Sequence, residues 1–136
     1  MNESPMKLQS SCKRGFTLVE IMIVVAIIAL LASIAVPNFM RARKRSQATR
    51  TLEDLRLIDQ ALDLYAIENN KGTGANPAFI DLKTYIKAGT TLYLTGKDIF
   101  GNTYGPFTVD SMPKVPTSTF NTLSDVAPAA FWSPYN

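Results

Sequence analysis

Few side chains in this 136-residue chain are placed to do chemistry, and those that are work through charge. Glu20 is the one charged residue between Phe16 and Met40. A carboxylate in so apolar a run costs about 2.5–3.5 kcal/mol on membrane-insertion scales, and more without a partner cation. Lys13 and Arg14 stand just before the run, and Arg41, Arg43, Lys44 and Arg45 just after it. Asp98, Asn102, Asp110 and Asp125 are oxygen-bearing side chains in the Gly- and Pro-rich remainder. With no histidine in the chain, Ser-His-Asp and Cys-His nucleophiles, His-ligated zinc and histidine proton shuttles are excluded. The single cysteine, Cys12, cannot close an internal disulfide. No residue reads as catalytic, and the chain is not expected to be an enzyme.

The elements that carry these groups follow from hydropathy. As a helix, residues 16–40 reach about 37 Å, enough for a hydrocarbon core of about 30 Å. A buried core helix is the alternative, but the rest of so short a chain has little with which to cover a helix that is apolar all round. Beyond the basic band, Leu52, Leu55, Ile58, Leu62 and Tyr65 recur at spacings of three and four, with Leu57, Ala61 and Leu64 widening the stripe. Acidic side chains occupy the other face, and Asn69-Asn70-Lys71-Gly72 stops the helix. The formal charge of +3 is therefore concentrated at a membrane edge, and general nucleic-acid binding is not expected.

An apolar stripe on a long helix needs a partner layer, which the residues after Gly72 must supply. Asn76-Pro77 offers an N-cap and first-turn proline for a short helix ending at Gly89. Residues 90–95 and 103–110 are rich in Thr, Tyr, Phe and Val and read as a hairpin, with residues 115–123 as an edge strand because of Pro116. The tail from Ala127 reads as irregular. The expected fold is α+β: a long N-terminal helix, its first half transmembrane, packed on a small antiparallel β-sheet domain. The expected divisions are a leader over 1–15, a membrane helix over 16–40, its amphipathic continuation over 41–71, and a β-rich region over 72–136.

Lys13-Arg14-Gly15-Phe16-Thr17-Leu18-Val19-Glu20, followed by an unbroken apolar helix to Pro37 and Asn38, resembles the prepilin signal of the type IV pilin and type II secretion pseudopilin superfamily. The resemblance implies a pilin-like fold. It implies that a prepilin peptidase recognises Lys13 and Arg14, cuts between Gly15 and Phe16, and methylates the new amine. Glu20 then neutralises the amine of an adjoining subunit and sets the filament register, though the same chain's amine lies one helical turn away. Pro37 cannot donate to the Ser33 carbonyl, so a kink or melted turn is expected there. Further implied partners are an inner-membrane assembly platform with its ATPase, other copies of the chain in a helical filament, and membrane lipid. Implied localisation is the inner membrane, single pass, with the C-terminal region outside the cytoplasm and later in a periplasmic or surface filament.

Basic residues after the span equal or outnumber those before it, so the positive-inside rule alone leaves orientation open. Arg41, Arg43, Lys44 and Arg45 have three readings: anionic headgroups, acidic side chains of the next subunit, or DNA. Ser33-Ile34-Ala35 also permits an ordinary secretory signal, which N-terminal sequencing distinguishes by a chain starting at Val36. Asp98-Ile99-Phe100-Gly101-Asn102-Thr103-Tyr104 is similar to an Asp-Pro-Trp-Gly-Asn-Pro-Tyr segment of the major pseudopilins, with Phe for Trp and neither proline. That resemblance implies secretion as the filament's role, against adhesion, motility or DNA uptake by a type IV pilin. It also implies Ca²⁺, for which Asp98, Asn102, Asp110 and Asp125 have the right hardness. The same side chains equally read as caps of their own turns.

Overall fold

The computed structural model describes Met1 and residues 15–136. It divides into two compact units, Met1–Pro37 and Asn38–Asn136. Helix α1, Leu18–Glu68, supplies nearly all the described part of the first and the framework of the second.

In the first unit, α1 is long and apolar enough to cross a membrane, and none of the apolar residues of that stretch is buried. The helix continues without interruption through Pro37, so the melted turn expected there is absent. Proline removes one donor, and the intact turns on either side absorb that loss. One turn earlier, Ser33 Oγ donates to the Leu30 carbonyl at 2.6 Å.

In the second unit, α1 buries Ala48, Thr51, Leu52, Leu55, Ile58, Ala61 and Leu62, which share a face at helical spacing. Leu57 and Leu64, expected to widen this stripe, instead lie 39% and 51% exposed on the outer side. The helix ends as its composition directs: Asn70 takes a positive φ of 49°, and the Lys71 N–H donates to Ala66 O at 2.9 Å.

The layer over the buried face is not a sheet. Among the described residues there are four further short α-helices and no β-strand: α2 (Phe79–Leu82, extended by a 3₁₀ turn Lys83–Tyr85), α3 (Thr91–Thr95), α4 (Thr117–Leu123) and α5 (Ala129–Trp132). Residues 90–95, expected as a strand, form α3 because Thr90 caps it, its Oγ1 accepting from Tyr93 N at 3.1 Å, and Gly96 closes it at φ 62°. These local caps outweigh the β preference of Thr and Tyr. Only an isolated antiparallel bridge, Lys97 with Thr103, remains of the expected hairpin. Residues 115–123, expected as an edge strand, instead hold α4, with Pro116 at its N-cap. The tail is ordered by α5, which places Trp132 in full burial. The N-cap expected at Asn76 moves to Ala78, whose N–H donates to Asp81 Oδ2, because the side-chain Oδ1 of Asn76 accepts from the Thr108 hydroxyl instead.

Against α1 the core is completed by Leu82, Ile86, Leu92, Tyr104, Phe107, Leu123, Ala127, Trp132 and Tyr135. Two tyrosine hydroxyls tie the loops to the helix, Tyr104 to Asp54 at 3.2 Å and Tyr135 to Asp59 at 3.3 Å.

Candidate processing and assembly site

At the start of α1, Thr17 and Glu20 close a reciprocal ring. The Thr17 N–H and hydroxyl both donate to Glu20 Oε2, at 2.7 and 2.8 Å, and the Glu20 N–H donates back to Thr17 Oγ1 at 3.3 Å. This capping box satisfies donors that a helix start otherwise leaves unpaired, and it gives the membrane-edge carboxylate partners within its own chain. Sequence reasoning considered only cationic partners for Glu20 and missed Thr17. The Thr-x-x-Glu spacing ahead of an apolar run was the available signal.

Immediately before the ring, Gly15 and Phe16 are exposed, Phe16 by 85%. A Cβ built on Gly15 meets nothing within 4 Å among the described residues, so their packing does not demand glycine there. The bond between Gly15 and Phe16 is open to an external enzyme. Lys13 and Arg14, expected to be read with it, lie outside the described residues, as does Cys12.

The basic band is divided in its commitments. Lys44 Nζ bonds Asp125 Oδ2 at 2.8 Å, which holds the Asp125 carboxyl below its ordinary range, with a smaller contribution from Arg41. Arg41, Arg43 and Arg45 are exposed, and among the described residues none of them forms an ion pair. Farther along, Arg50 donates to Thr91 Oγ1 at 2.9 Å.

Of the four oxygen-bearing residues only Asp98 and Asn102 are brought together. Asp98 is 3% exposed and accepts from its own loop: Oδ1 from the N–H groups of Phe100 and Asn102, at 2.9 and 2.8 Å, and Oδ2 from the Thr119 hydroxyl of α4 and, at 3.4 Å, from Asn102 Nδ2. Asn102 Nδ2 also donates to Thr119 Oγ1 at 2.8 Å. Asp110, at φ 63°, accepts from Thr73, and Asp125 is taken by Lys44. Among the described residues no group of three or more Cys, Asp or Glu side chains is placed to hold a metal. A carboxylate already occupied by four donors has little left for a cation, so the residues present do not fit a Ca²⁺ site built on Asp98. Thr119 is the member that sequence reasoning missed, being distant in sequence and assigned to a strand.

Burial pushes the Asp54 carboxyl up, against the Tyr104 hydroxyl and Arg50, which favour its charged form. Asp59 is raised in the same way, with the Tyr135 hydroxyl opposing. Burial also drives the Tyr104 hydroxyl well above its usual range. These groups join loops to helix and face no reactive partner.

Residues 10–36 match the family model described as a prokaryotic N-terminal methylation motif. This chain carries a prepilin methylation motif. The match places the Gly15–Phe16 bond, the Thr17–Glu20 ring and most of the apolar run inside one recognised segment. The chain is homologous to type II secretion system core protein G, with 41% identity over 59 residues to that of Pectobacterium carotovorum subsp. carotovorum, 43% of this chain and 38% of the relative. The core protein G of Escherichia coli (strain K12) is 41% identical over 58 residues, 43% of this chain and 40% of the relative. The type IV wide pilus major component PilA4 of Thermus thermophilus is 42% identical over 69 residues, 51% of this chain and 53% of the relative. The matches thus span between two fifths and about half of these relatives' lengths. No solved structure matches the chain.

Proposed function

We propose that this protein is a structural subunit of a pilus or pseudopilus in a type II secretion-like system. In this reading a prepilin peptidase cuts between Gly15 and Phe16, using Lys13 and Arg14 of the leader, and methylates the new amine. An inner-membrane platform with its ATPase then draws the subunit from the bilayer into a filament of identical copies. The observation that carries the proposal is the prepilin motif lying on an exposed helix start, with Glu20 bonded to Thr17 at the head of the apolar run.

Glu20 has two successive roles. In the isolated subunit it caps α1; after cleavage a cationic amine on a neighbouring Phe16 brings a full positive charge that the neutral Thr17 amide and hydroxyl lack, and in an apolar setting that Coulomb attraction favours the amine. Pro37 sits between the membrane part and the folded unit, where a missing hydrogen bond makes the helix easiest to stretch during packing. The pilin-like arrangement is retained in its essentials, a long helix backed by a small folded unit, with the cover built from short helices.

Mass spectrometry of the membrane form tests the chemistry: the expected mass lacks Met1 to Gly15 and gains one methyl group. Because a Cβ at Gly15 meets no other atom of the described residues within 4 Å, loss of processing in Gly15→Val with an unchanged thermal midpoint reads recognition by the peptidase and not misfolding. Glu20→Ala should be processed normally and fail to polymerise; normal filaments would refute the charge-pair role. A second reading, a surface pilin, rests on the likeness to the Thermus wide-pilus component. Filaments visible outside the cell in place of a secretion defect on deletion would favour it.

A further inference from the structure

The prepilin motif leaves the arginines after the membrane run without a role. We propose that Arg41, Arg43 and Arg45 bind the phosphate groups of anionic lipids where α1 leaves the bilayer. The inference rests on reading the apolar part of α1 as a membrane span, and it deepens that reading by naming the lipid class.

Three observations carry it. The first is position: from Leu18, a rise of about 1.5 Å per residue brings Arg41 roughly 35 Å along the helix, just past a hydrocarbon core of about 30 Å and level with the headgroups. The second is distribution. At about 100° per residue, Arg45 lies about 40° from Arg41 while Arg43 points some 200° away, so the charges stand on two opposite sides of the helix. A surrounding layer of anions reaches both sides at once, whereas a protein partner approaches from one. The third is availability. From Ile21 to Leu52 the helix carries no acidic residue, and the nearby acid, Asp125, is bonded to Lys44. Arg43 and Arg45 are thus left to an outside anion, with Arg41, which acts on Asp125 through its charge but forms no ion pair with it, exposed beside them; the guanidinium fork matches a phosphate in two-point contact. Their aliphatic stems can lie along the last apolar turn beside Phe39 and Met40.

The test uses the full chain reconstituted in phosphatidylcholine vesicles containing a minority of phosphatidylglycerol, with spin-labelled versions of both lipids reporting the motionally restricted layer around the helix. The wild type should prefer phosphatidylglycerol about threefold or more, falling towards unity in the triple variant R41Q/R43Q/R45Q and in high salt. Lys44→Gln should keep most of the preference, since Lys44 is already paired. Equal affinity for the two lipids in the wild type would overturn the proposal. So would a preference that survives the triple substitution, or a triple variant with an unchanged lipid layer that no longer polymerises, which would assign the arginines to a neighbouring copy. A chain that restricts neither lipid has no membrane span, an outcome that sinks the underlying reading and is recognisably different from the others.

Discussion

Thr119→Val is the sharpest test of how the C-terminal unit is held together. The substitution keeps the shape of a fully buried side chain and removes one hydroxyl, which donates to Asp98 Oδ2 and accepts from Asn102 Nδ2. A hydrogen bond to a charged group is worth about 1.5–3 kcal/mol, and the stranded Asn102 donor adds roughly 1 kcal/mol or more. Asp98 Oδ2 is left with a single contact at 3.4 Å, too long to compensate. A loss of about 3 kcal/mol in a unit the size of Asn38–Asn136 lowers the thermal midpoint by roughly 12–24 °C. Trp132, the only tryptophan and fully buried, reports the transition by fluorescence with the chain held in detergent micelles. Thr119→Ser, which keeps the hydroxyl and loses one methyl, should cost only about 1 kcal/mol. A valine variant melting within about 4 °C of the wild type would show that the Asp98 carboxylate does not depend on α4.

Three further outcomes are expected. Since the Asp98 oxygens are occupied by donors from the chain, millimolar Ca²⁺ and a chelator should give the same thermal midpoint; a cation binding the folded state well below that concentration would raise it by several degrees and contradict this account. Asp54 has its pKa raised in the folded unit, chiefly by burial, so it binds more proton folded than unfolded. Its contribution is fully present below the ordinary Asp value and is lost as pH rises through the folded one. Asp54→Asn, which can still accept from Tyr104, should therefore gain in midpoint over the wild type at pH 7, with the gap closing towards pH 3; an equal gap at both would be inconsistent with the shift. Gly96→Ala forces a φ of 62° on an L-residue and sets its Cβ 2.9 Å from the Phe79 ring, so a loss of at least about 1–2 kcal/mol is expected, while Gly72→Ala, open on all sides, should be near neutral.

Periodicity made the long helix legible. Leu52, Leu55, Ile58 and Leu62 at intervals of three and four point to a buried face, and that face is observed. The prepilin motif was equally readable, because its charges and its glycine stand at fixed separations in an otherwise apolar stretch. The cover was misread for one physical reason. Thr90 and Thr119 counted as strand formers, yet one accepts a hydrogen bond that starts α3 and the other donates to a carboxylate twenty-one residues away. Capping by a threonine is local and competes directly with its β preference, while a partner such as Asp98 is visible only once the chain has folded. The Thr17–Glu20 ring is legible in the Thr-x-x-Glu spacing, but the cost of a carboxylate in an apolar run points to a cation as its partner, and the two signals compete.

The last turn of the chain has a bearing on the order of synthesis. Trp132 and Tyr135 complete the cover over α1, with Tyr135 holding Asp59 by its hydroxyl and the Val115 N–H by its carbonyl. Until those residues have left the ribosome, Leu55, Ile58 and Leu62 have only part of their cover. Contacts so far apart in sequence form late, because a long loop must close before they reward it. The apolar first half of α1 is therefore synthesised well before the other unit can complete its core, so the two units acquire their structure at different stages of synthesis.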